Sequence, residues 1–155
     1  MNAFQGPRDR PGRSTGSPPQ TSGAKPIFTP QESDARLLDE LAEKQADQMD
    51  VINSSQLRRF FGEVKDLYRR FDTRVASGSA GDDVYRAEIE PAFKMIRSKV
   101  SYAARPGGQS SIPPSFREFL DNGVKQVQTA DHFRRFVMHF EAVVGFMYGK
   151  DKVRK

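Results

Sequence analysis

The sequence predicts an all-α protein, a compact bundle of about five helices preceded by a disordered tail. Three observations predict this fold class. Capping residues recur just before apolar segments, apolar residues repeat at helical spacing, and no stretch sustains the alternation of apolar and polar residues that a strand would show. With 155 residues, the chain is long enough for one domain with a modest core.

The first 28 residues differ in composition from the rest of the chain. They are rich in Pro, Gly, Ser and Arg and contain almost no apolar residues. Such a segment cannot bury enough apolar surface to offset the entropy lost on ordering. We therefore expect a disordered tail at 1–28 and a single helical-bundle domain at 29–155. The basic groups of the tail are either solvated or add non-specific affinity for nucleic acid.

Charge is unevenly distributed along the chain, whose formal net charge is +5. The net charge is −5 for residues 29–53, whereas it is +4 for residues 54–105 and +3 for residues 106–155. A basic body beside an acidic segment differs from an evenly mixed surface. The positive total weakly favours an acidic partner.

The first predicted helix starts at a capping-box pattern, Thr29 with Glu32, and has Pro30 at its first helical position. It extends to about Ile52. Its apolar stripe is thin, so we expect a loosely docked helix. The stripe consists of Leu38, Leu41, Met49 and Ile52.

The second predicted helix begins after the candidate N-caps Asn53, Ser54 and Ser55. Its apolar residues follow the helical period without a miss and span an arc of about 120°, the width of a core-facing surface. They are Leu57, Phe60, Phe61, Val64, Leu67, Tyr68, Phe71 and Val75.

One flank of the second helix carries basic residues with few acidic neighbours. Helical geometry places Arg58, Lys65 and Arg69 on this flank, with Gly62 close to them. A Gly in mid-helix costs about 1 kcal/mol relative to Ala, but it lets another backbone approach closely. Two interpretations remain open: a phosphate-binding stripe, or a solvated flank with a tolerated Gly.

The other side of the second helix carries Arg59 and Arg70. Each has an acidic residue one turn away, Glu63 for Arg59 and Asp66 for Arg70. This spacing predicts intrahelical ion pairs. The two arginines of each doublet are therefore not equivalent, and Arg59 is the weaker candidate for a phosphate contact.

The third predicted helix lies within 83–104 and has a polar, basic flank that includes Lys94, Arg97 and Arg105. Pro91 either starts the main part of this helix or kinks it. A Ser- and Pro-rich loop follows.

The last two helices also have start signals. The fourth is predicted to start at a second capping box, Ser115 with Glu118. The fifth is predicted to start at the cap Asp131 and to stop at Gly149.

Two sets of residues point away from the predicted core. Met95 and Tyr102 of the third helix indicate a subunit contact or a platform for nucleobase stacking, unless the first helix covers them. The back of the fifth helix carries Met138, Ala142 and Gly145. This largely small-residue surface permits close packing of a second element or a neighbouring protomer.

The sequence argues against an enzyme. It contains no P-loop, nucleophile elbow or dinucleotide fingerprint. The absence of Cys excludes disulfides and thiolate ligands and fits a reducing compartment. His132 and His139 lie two helical turns apart, too far to share a metal without other ligands. We expect no catalytic residue, no metal, no cofactor and, since the longest apolar run is far too short for a span, no membrane contact.

Four segments occur in a recognisable order: SSQLRRFFGEVKDLYRRF, PAFKMIRSKVSYAARPG, FREFLDNGVKQV and HFRRFVMHFEAVVGFMYG. Together they resemble the small subunit of type III-A CRISPR effector complexes, the Csm family. The resemblance covers roughly residues 53–149. The tail at 1–28 and the loop after Arg105 depart from the family's pattern.

The resemblance implies a non-catalytic, cytoplasmic, all-α protein of antiviral defence. Several copies would stack head to tail as an inner filament and contact the backbone and large subunits of the complex. Their basic side chains would contact phosphates of the duplex between guide (crRNA) and target RNA. The candidates carried over by position are Arg58, Arg59, Arg69, Lys94, Arg97, Lys99 and Arg105, and the helical geometry adds Lys65.

A helical adaptor that binds only proteins is the alternative. Its charge would serve solubility, and the back of the fifth helix would dock a partner. This alternative gains support if the basic flanks of the second and third helices lie on opposite sides of the bundle.

Overall fold

The structure, a computed structural model, describes residues 26–107 and 112–155. The predicted disordered tail lies outside these residues except for its last three. Two of those three belong to the packed domain: Phe28 is buried, and the backbone N–H of Ile27 donates to Oε1 of Gln45 (2.9 Å). The packed part of the chain therefore begins before the predicted boundary at residue 29.

The described residues form five helical rods, which confirms the predicted all-α bundle. No helix in this part of the chain has the length and apolar character needed to cross a membrane. The elements in chain order are α1 (Asp34–Leu38), α2 (Glu40–Gln48), β1 (Ile52–Asn53), α3 (Ser54–Ala76), α4 (Gly81–Val84), a π-helical turn (Tyr85–Ile89), α5 (Glu90–Ala103), α6 (Pro114–Gln126), α7 (Ala130–Gly149) and β2 (Val153–Arg154).

The first helix starts later than predicted and is broken. Thr29 forms a turn, because its Oγ1 accepts from the backbone N–H of Gln31 (3.2 Å). Ser33 is the N-cap of α1, and its hydroxyl accepts from the N–H of Arg36 (3.3 Å). Asp39 has non-helical backbone angles and separates α1 from α2.

The prediction of a loosely docked first helix was wrong. α2 packs along α7, and Ala42, Gln45 and Ala46 are buried. In α1, Leu37 is buried whereas Leu38 is exposed. The prediction considered only the large apolar residues of this helix. It overlooked the alanines, whose small side chains let two helices approach closely.

α3 confirms the second predicted helix. Asn53 is its N-cap, with Oδ1 accepting from the N–H of Ser55 (2.9 Å). Phe61 and Tyr68 pack against the core while partly exposed, and Val75 is exposed near the end of the helix. The fully buried residues are Leu57, Phe60, Val64, Leu67 and Phe71.

The third predicted helix is a continuous rod with a π-helical turn before Pro91. The N–H of Glu90 donates to the carbonyl oxygen of Tyr85, five residues earlier, and Pro91 lies in the first turn of α5. Proline lacks an N–H and clashes with the carbonyl four residues before it. The wider π turn accommodates both effects, so Pro91 starts α5 without breaking the rod.

The two predicted caps of the later helices were wrong. Pro113 is the N-cap of α6, and its side chain makes no capping hydrogen bond. The hydroxyl of Ser115 instead donates to Asp50 Oδ2 (3.0 Å) and accepts from the Asp50 N–H (2.9 Å). Thr129 caps α7, whereas Asp131 lies in its first turn. The predicted stop of α7 at Gly149 is confirmed.

The helices enclose a core rich in aromatic rings. α7 packs against α2 and α3, and α3 and α6 pack against α5. The ring of Phe133 on α7 lies 5.1 Å from that of Phe93 on α5, and the ring of Phe136 lies 5.6 Å from that of Phe119 on α6. Asn122 of α6 donates to the carbonyl oxygen of Phe28 (3.1 Å), which joins α6 to the N-terminal segment.

A short parallel pairing holds the C-terminus. After α7, Asp151 adopts a positive φ of 58°. β2 then pairs with β1, and the Ile52 N–H donates to the Lys152 carbonyl oxygen (2.9 Å). The segment that precedes α3 is therefore tied to the residues that follow α7.

The acidic segment is partly neutralised within the fold. Lys150 lies between two carboxylates of α2, at 3.2 Å from Glu43 and 2.8 Å from Asp47. Arg134 of α7 lies 3.3 Å from Asp34 of α1. The charge asymmetry of the sequence therefore contributes to docking α1 and α2 on α7.

Candidate nucleic-acid interface

α3 presents two arginine doublets to solvent. Arg58, Arg59, Arg69 and Arg70 are all exposed. The doublets lie about 16 Å apart along the helix axis. Between them, apart from the adjoining residues and backbone of α3, no atom of the described residues lies within 4 Å of the position that a Cβ of Gly62 would occupy. The surface between the doublets is therefore open.

The predicted ion pair between Arg59 and Glu63 does not form. Glu63 instead pairs with Lys99 of α5 (3.2 Å). Arg59 lies over the Phe60 ring, with its guanidinium carbon 5.4 Å from the ring centre. A basic residue on the neighbouring helix thus takes the carboxylate, and Arg59 has no carboxylate partner in the described part of the chain.

The predicted pair between Arg70 and Asp66 does not form either. Asp66 pairs with Arg69 (2.7 Å), one residue closer. Lys65 lies 3.0 Å from Glu141 of α7, and its side chain is only 23% exposed. The predicted separation of paired from unpaired basic residues on α3 is therefore partly reversed. Arg70 is without a carboxylate partner among the described residues, whereas Lys65 and Arg69 are paired.

α5 holds its basic residues in different ways. Lys94 is exposed and makes no ion pair within residues 26–107 and 112–155. Arg97 lies 2.6 Å from Asp121 of α6, and Lys125 lies 2.7 Å from the same carboxylate. Burial alone would raise the pKa of Asp121, but hydrogen bonds from Lys125 and Arg97 outweigh it and lower the pKa below its usual value. Arg105, two residues beyond the end of α5, stacks on Tyr102, at 3.7 Å from the ring centre.

Sequence reasoning missed two basic residues beside this flank. Arg117 and Lys125 of α6 line a shallow cleft of about 290 Å³ together with Arg97 of α5. The sequence did contain an indication of them: the spacing of positions 117, 121 and 125 places all three side chains on one face of a helix.

The basic flanks of α3 and α5 do not merge. Lys65 on the α3 flank contacts α7, whereas Arg97 on the α5 flank contacts α6. Where α3 and α5 do face each other, Glu63 and Lys99 neutralise one another. This separation is the feature expected of the adaptor alternative.

The residues proposed for subunit contacts lie on two outer faces. Met95 is 54% and Tyr102 is 67% exposed, so the first helix does not cover them. On α7, Met138 and Ala142 are half-buried. Gly145 is exposed, and a Cβ added there would meet no described atom within 4 Å beyond the adjoining residues and backbone of α7. All five stay candidates.

The two histidines occupy different surroundings. His139 is buried, and its Nδ1 donates to the carbonyl oxygen of Leu37 (2.7 Å). His132 is half-buried, and its Nδ1 accepts from the Gln128 N–H (3.3 Å). Across the described ranges, no group of three His, Cys, Asp or Glu residues could hold a metal ion.

These features define a small helical-bundle protein with basic outer helix faces. A protein-family model described as Csm2 Type III-A matches residues 32–150. The chain belongs to this family and is a small subunit of the type III-A effector complex, where it associates with other Csm subunits. The match extends the resemblance seen in the sequence upstream to α1 and α2. No curated protein and no solved structure matches the chain significantly.

Proposed function

We propose that the chain is a non-catalytic, cytoplasmic subunit that binds the phosphate backbone of the guide–target RNA duplex. The family supports the setting, a type III-A effector complex. Within that setting, several copies would stack along the duplex beside the backbone and large subunits. A single copy would bind weakly, and repetition along one duplex would raise the overall affinity.

The proposal rests mainly on the exposed arginines of the outer face of α3. Arg58, Arg59 and Arg70 are exposed without a carboxylate partner among the described residues, and Arg69 has a single exposed pair with Asp66. An exposed ion pair contributes little energy, so a phosphate can compete for Arg69. Arginine forms paired hydrogen bonds with phosphate oxygens, which suits this face to a polyanion.

The other basic candidates form a second group. Lys94 and Arg105 are exposed, whereas Lys65, Arg97 and Lys99 would have to exchange a carboxylate for a phosphate. We therefore assign the primary contact to the four α3 arginines and a secondary contact to this group. For contacts between subunits, we propose the outer residues Met95, Met138, Ala142 and Gly145. Tyr102 is a candidate both for such a contact and for stacking on a nucleobase.

The salt dependence of RNA binding tests the α3 assignment. The assembled complex would carry the wild-type chain or a variant with Arg58, Arg59, Arg69 and Arg70 changed to Ala. Affinity for target RNA would be measured from low to moderate salt. We expect weaker binding and a salt slope reduced by roughly 0.7–0.9 for each phosphate that the variant no longer neutralises. An unchanged slope would remove the α3 face from the proposal.

The control removes equal charge from elsewhere on the surface. Arg36, Lys44, Arg154 and Lys155 are exposed and lie outside the α3 face. Changing these four residues to Ala alters net charge by the same amount, so we expect a salt slope close to that of the wild-type complex.

The adaptor alternative is supported by the separation of the basic flanks of α3 and α5. In that case the chain would enter the complex only through protein contacts. The four-arginine variant would then assemble normally and bind RNA with wild-type affinity and salt slope.

A further inference from the structure

One aromatic residue of α5 is held in an arrangement that none of the proposed contacts requires. Tyr102 is 67% exposed, and the guanidinium of Arg105 covers its ring at 3.7 Å from the ring centre. Arg105 is fixed a second time, because its Nη1 donates to the carbonyl oxygen of Tyr102 (2.8 Å). We call this pair the Tyr102–Arg105 stack.

The guanidinium of Arg105 keeps its positive charge available to a ligand. Arg105 forms no ion pair with a carboxylate in the described part of the chain, and the two contacts that hold its guanidinium leave the positive charge in place. An exposed ring that adjoins an un-neutralised guanidinium presents a planar surface and a cation at the same point. Nucleobases stack on both aromatic rings and arginine planes, and the nearby phosphate is attracted by the charge.

The surroundings fit a nucleobase better than a second protein. Lys94, Ser98 and Ser101 are exposed on the same helix, so the ring lies in a polar and basic surface. Met95 is the nearest large exposed apolar residue on α5, two turns away. A stable protein contact needs roughly 800 Å² per partner around a largely apolar centre. Among the described residues, the surface around Tyr102 has no such apolar centre.

From this geometry, we infer that the Tyr102–Arg105 stack binds an unpaired nucleobase of the RNA that the subunit contacts. The inference rests on the proposed RNA-binding function and adds a contact to a base. A fully paired duplex keeps its bases stacked inside the helix and offers none to the ring. A duplex with a bulged base, or a single strand, offers one.

Two RNA probes test this inference on the purified full-length chain. One is a fully paired duplex of about 20 base pairs, long enough to span a protein of this size, and the other contains a single bulged adenosine. We expect the wild-type chain to prefer the bulged duplex by roughly tenfold to a hundredfold, the range for stacking one base. Tyr102→Ala should abolish the preference, and because it also releases Arg105, affinity for the paired duplex should fall by less than affinity for the bulged duplex. Tyr102→Phe, which keeps the ring, should retain it.

A matched control is available on α7, where Tyr148 is also an exposed aromatic residue (47%). Tyr148→Ala should keep the preference, because no guanidinium stacks on that ring within residues 26–107 and 112–155. Replacing the bulged adenosine with 2-aminopurine gives a direct signal, since stacking on Tyr102 should quench its fluorescence.

The outcomes separate this inference from the proposed function. If the chain binds the paired duplex but shows no preference for the bulge, or if Tyr102→Ala keeps the preference, the stack does not bind a base and the inference is wrong. If the wild-type chain binds neither probe at low salt, even at the high protein concentrations that reveal weak binding by a single copy, the proposed RNA binding fails with it. A change in oligomeric mass on Tyr102→Ala, with unaltered RNA binding, would assign this surface to a second copy instead.

Discussion

Gly123 determines how closely α6 and α7 approach. A Cβ added at this position would overlap the ring of Phe136, which is itself fully buried against other rings. The obstacle is a packed ring with no free volume to move into. The sequence placed Gly123 inside a helix but offered no sign of this role, because the partner lies on another helix.

Gly123→Ala should therefore destabilise the fold, by about 1–3 kcal/mol, as overpacking of a core usually does. Urea denaturation would measure the change. Gly62→Ala is the matched control: its Cβ would meet open space, and Ala is the better helix former by about 1 kcal/mol. We expect Gly62→Ala to stabilise the protein, and equal effects of the two changes would contradict this assignment.

His139 links stability to pH. Burial lowers the pKa of its imidazole, although the hydrogen bond to the Leu37 carbonyl acts in the opposite direction. Because the folded-state pKa lies below the unfolded value of about 6.5, the unfolded chain takes up the proton first. The contribution to stability is complete above that value and is lost as the pH falls below it.

We expect the free energy of unfolding to fall between about pH 7 and pH 5.5, with a slope of at most about 1.4 kcal/mol per pH unit from this one proton. His139→Gln should flatten the dependence, whatever its effect on stability at neutral pH. Chemical denaturation of the wild-type and variant proteins at several pH values measures this slope, and a slope that survives His139→Gln would refute the role given to His139.

Ion pairs between helices could not be predicted from the sequence, although the buried face of α3 could. The helical period identified the core face of α3, because burial follows from spacing along one helix. It did not identify the partners of Glu63 and Lys65, which lie on α5 and α7. Pairing between helices depends on which helices are neighbours, and a single sequence does not contain that information in local form.

At the scale of elements, the first helix shows why docking is harder to predict than helix formation. α2 is held on α7 by buried alanines and by charged contacts at its surface. The apolar stripe used to predict docking included only large side chains and left out these alanines. The observed N-caps Ser33, Pro113 and Thr129 lie within a few residues of the predicted ones.

Arg135 connects the N-terminal segment to α7. Its Nε lies 2.8 Å from Asp131, and its Nη1 donates to the carbonyl oxygens of Glu32 (2.9 Å) and Pro30 (3.4 Å). The side chain is 26% exposed. Its removal would leave two backbone carbonyls without this charged donor.

Arg135→Ala should cost roughly 1.5–3 kcal/mol, the range for hydrogen bonds to a charged group. Hydrogen exchange should show faster opening of α1 and α2 than of α3. Arg36→Ala is the control, because Arg36 is exposed and its ion pairs in the described part of the chain are with Glu32 and Glu40 of its own segment. Uniformly faster exchange in all helices would count against a local role for Arg135.

At the scale of the whole molecule, the unevenly distributed charges divide into those that pair inside the fold and those that stay exposed. The acidic segment docks on Arg134 of α7 and on Lys150 just after this helix, which removes part of the asymmetry inside the fold. The arginines on the outer face of α3 remain exposed. The fold class and family follow from periodicity and from motifs spread over much of the chain, whereas the identity of the unpaired cations required the packing of α3 between α5 and α7.

Photo-cross-linking tests the central claim, RNA contact by the α3 face, most directly. Gly62 would be replaced by p-benzoylphenylalanine, since its position is open and lies between the two arginine doublets. The same replacement of exposed Lys44 on α2 is the control. In the assembled complex with bound target, we predict cross-links to RNA from position 62 and none from position 44. Cross-links from position 62 to protein alone, or equal RNA cross-linking from both positions, would contradict the account.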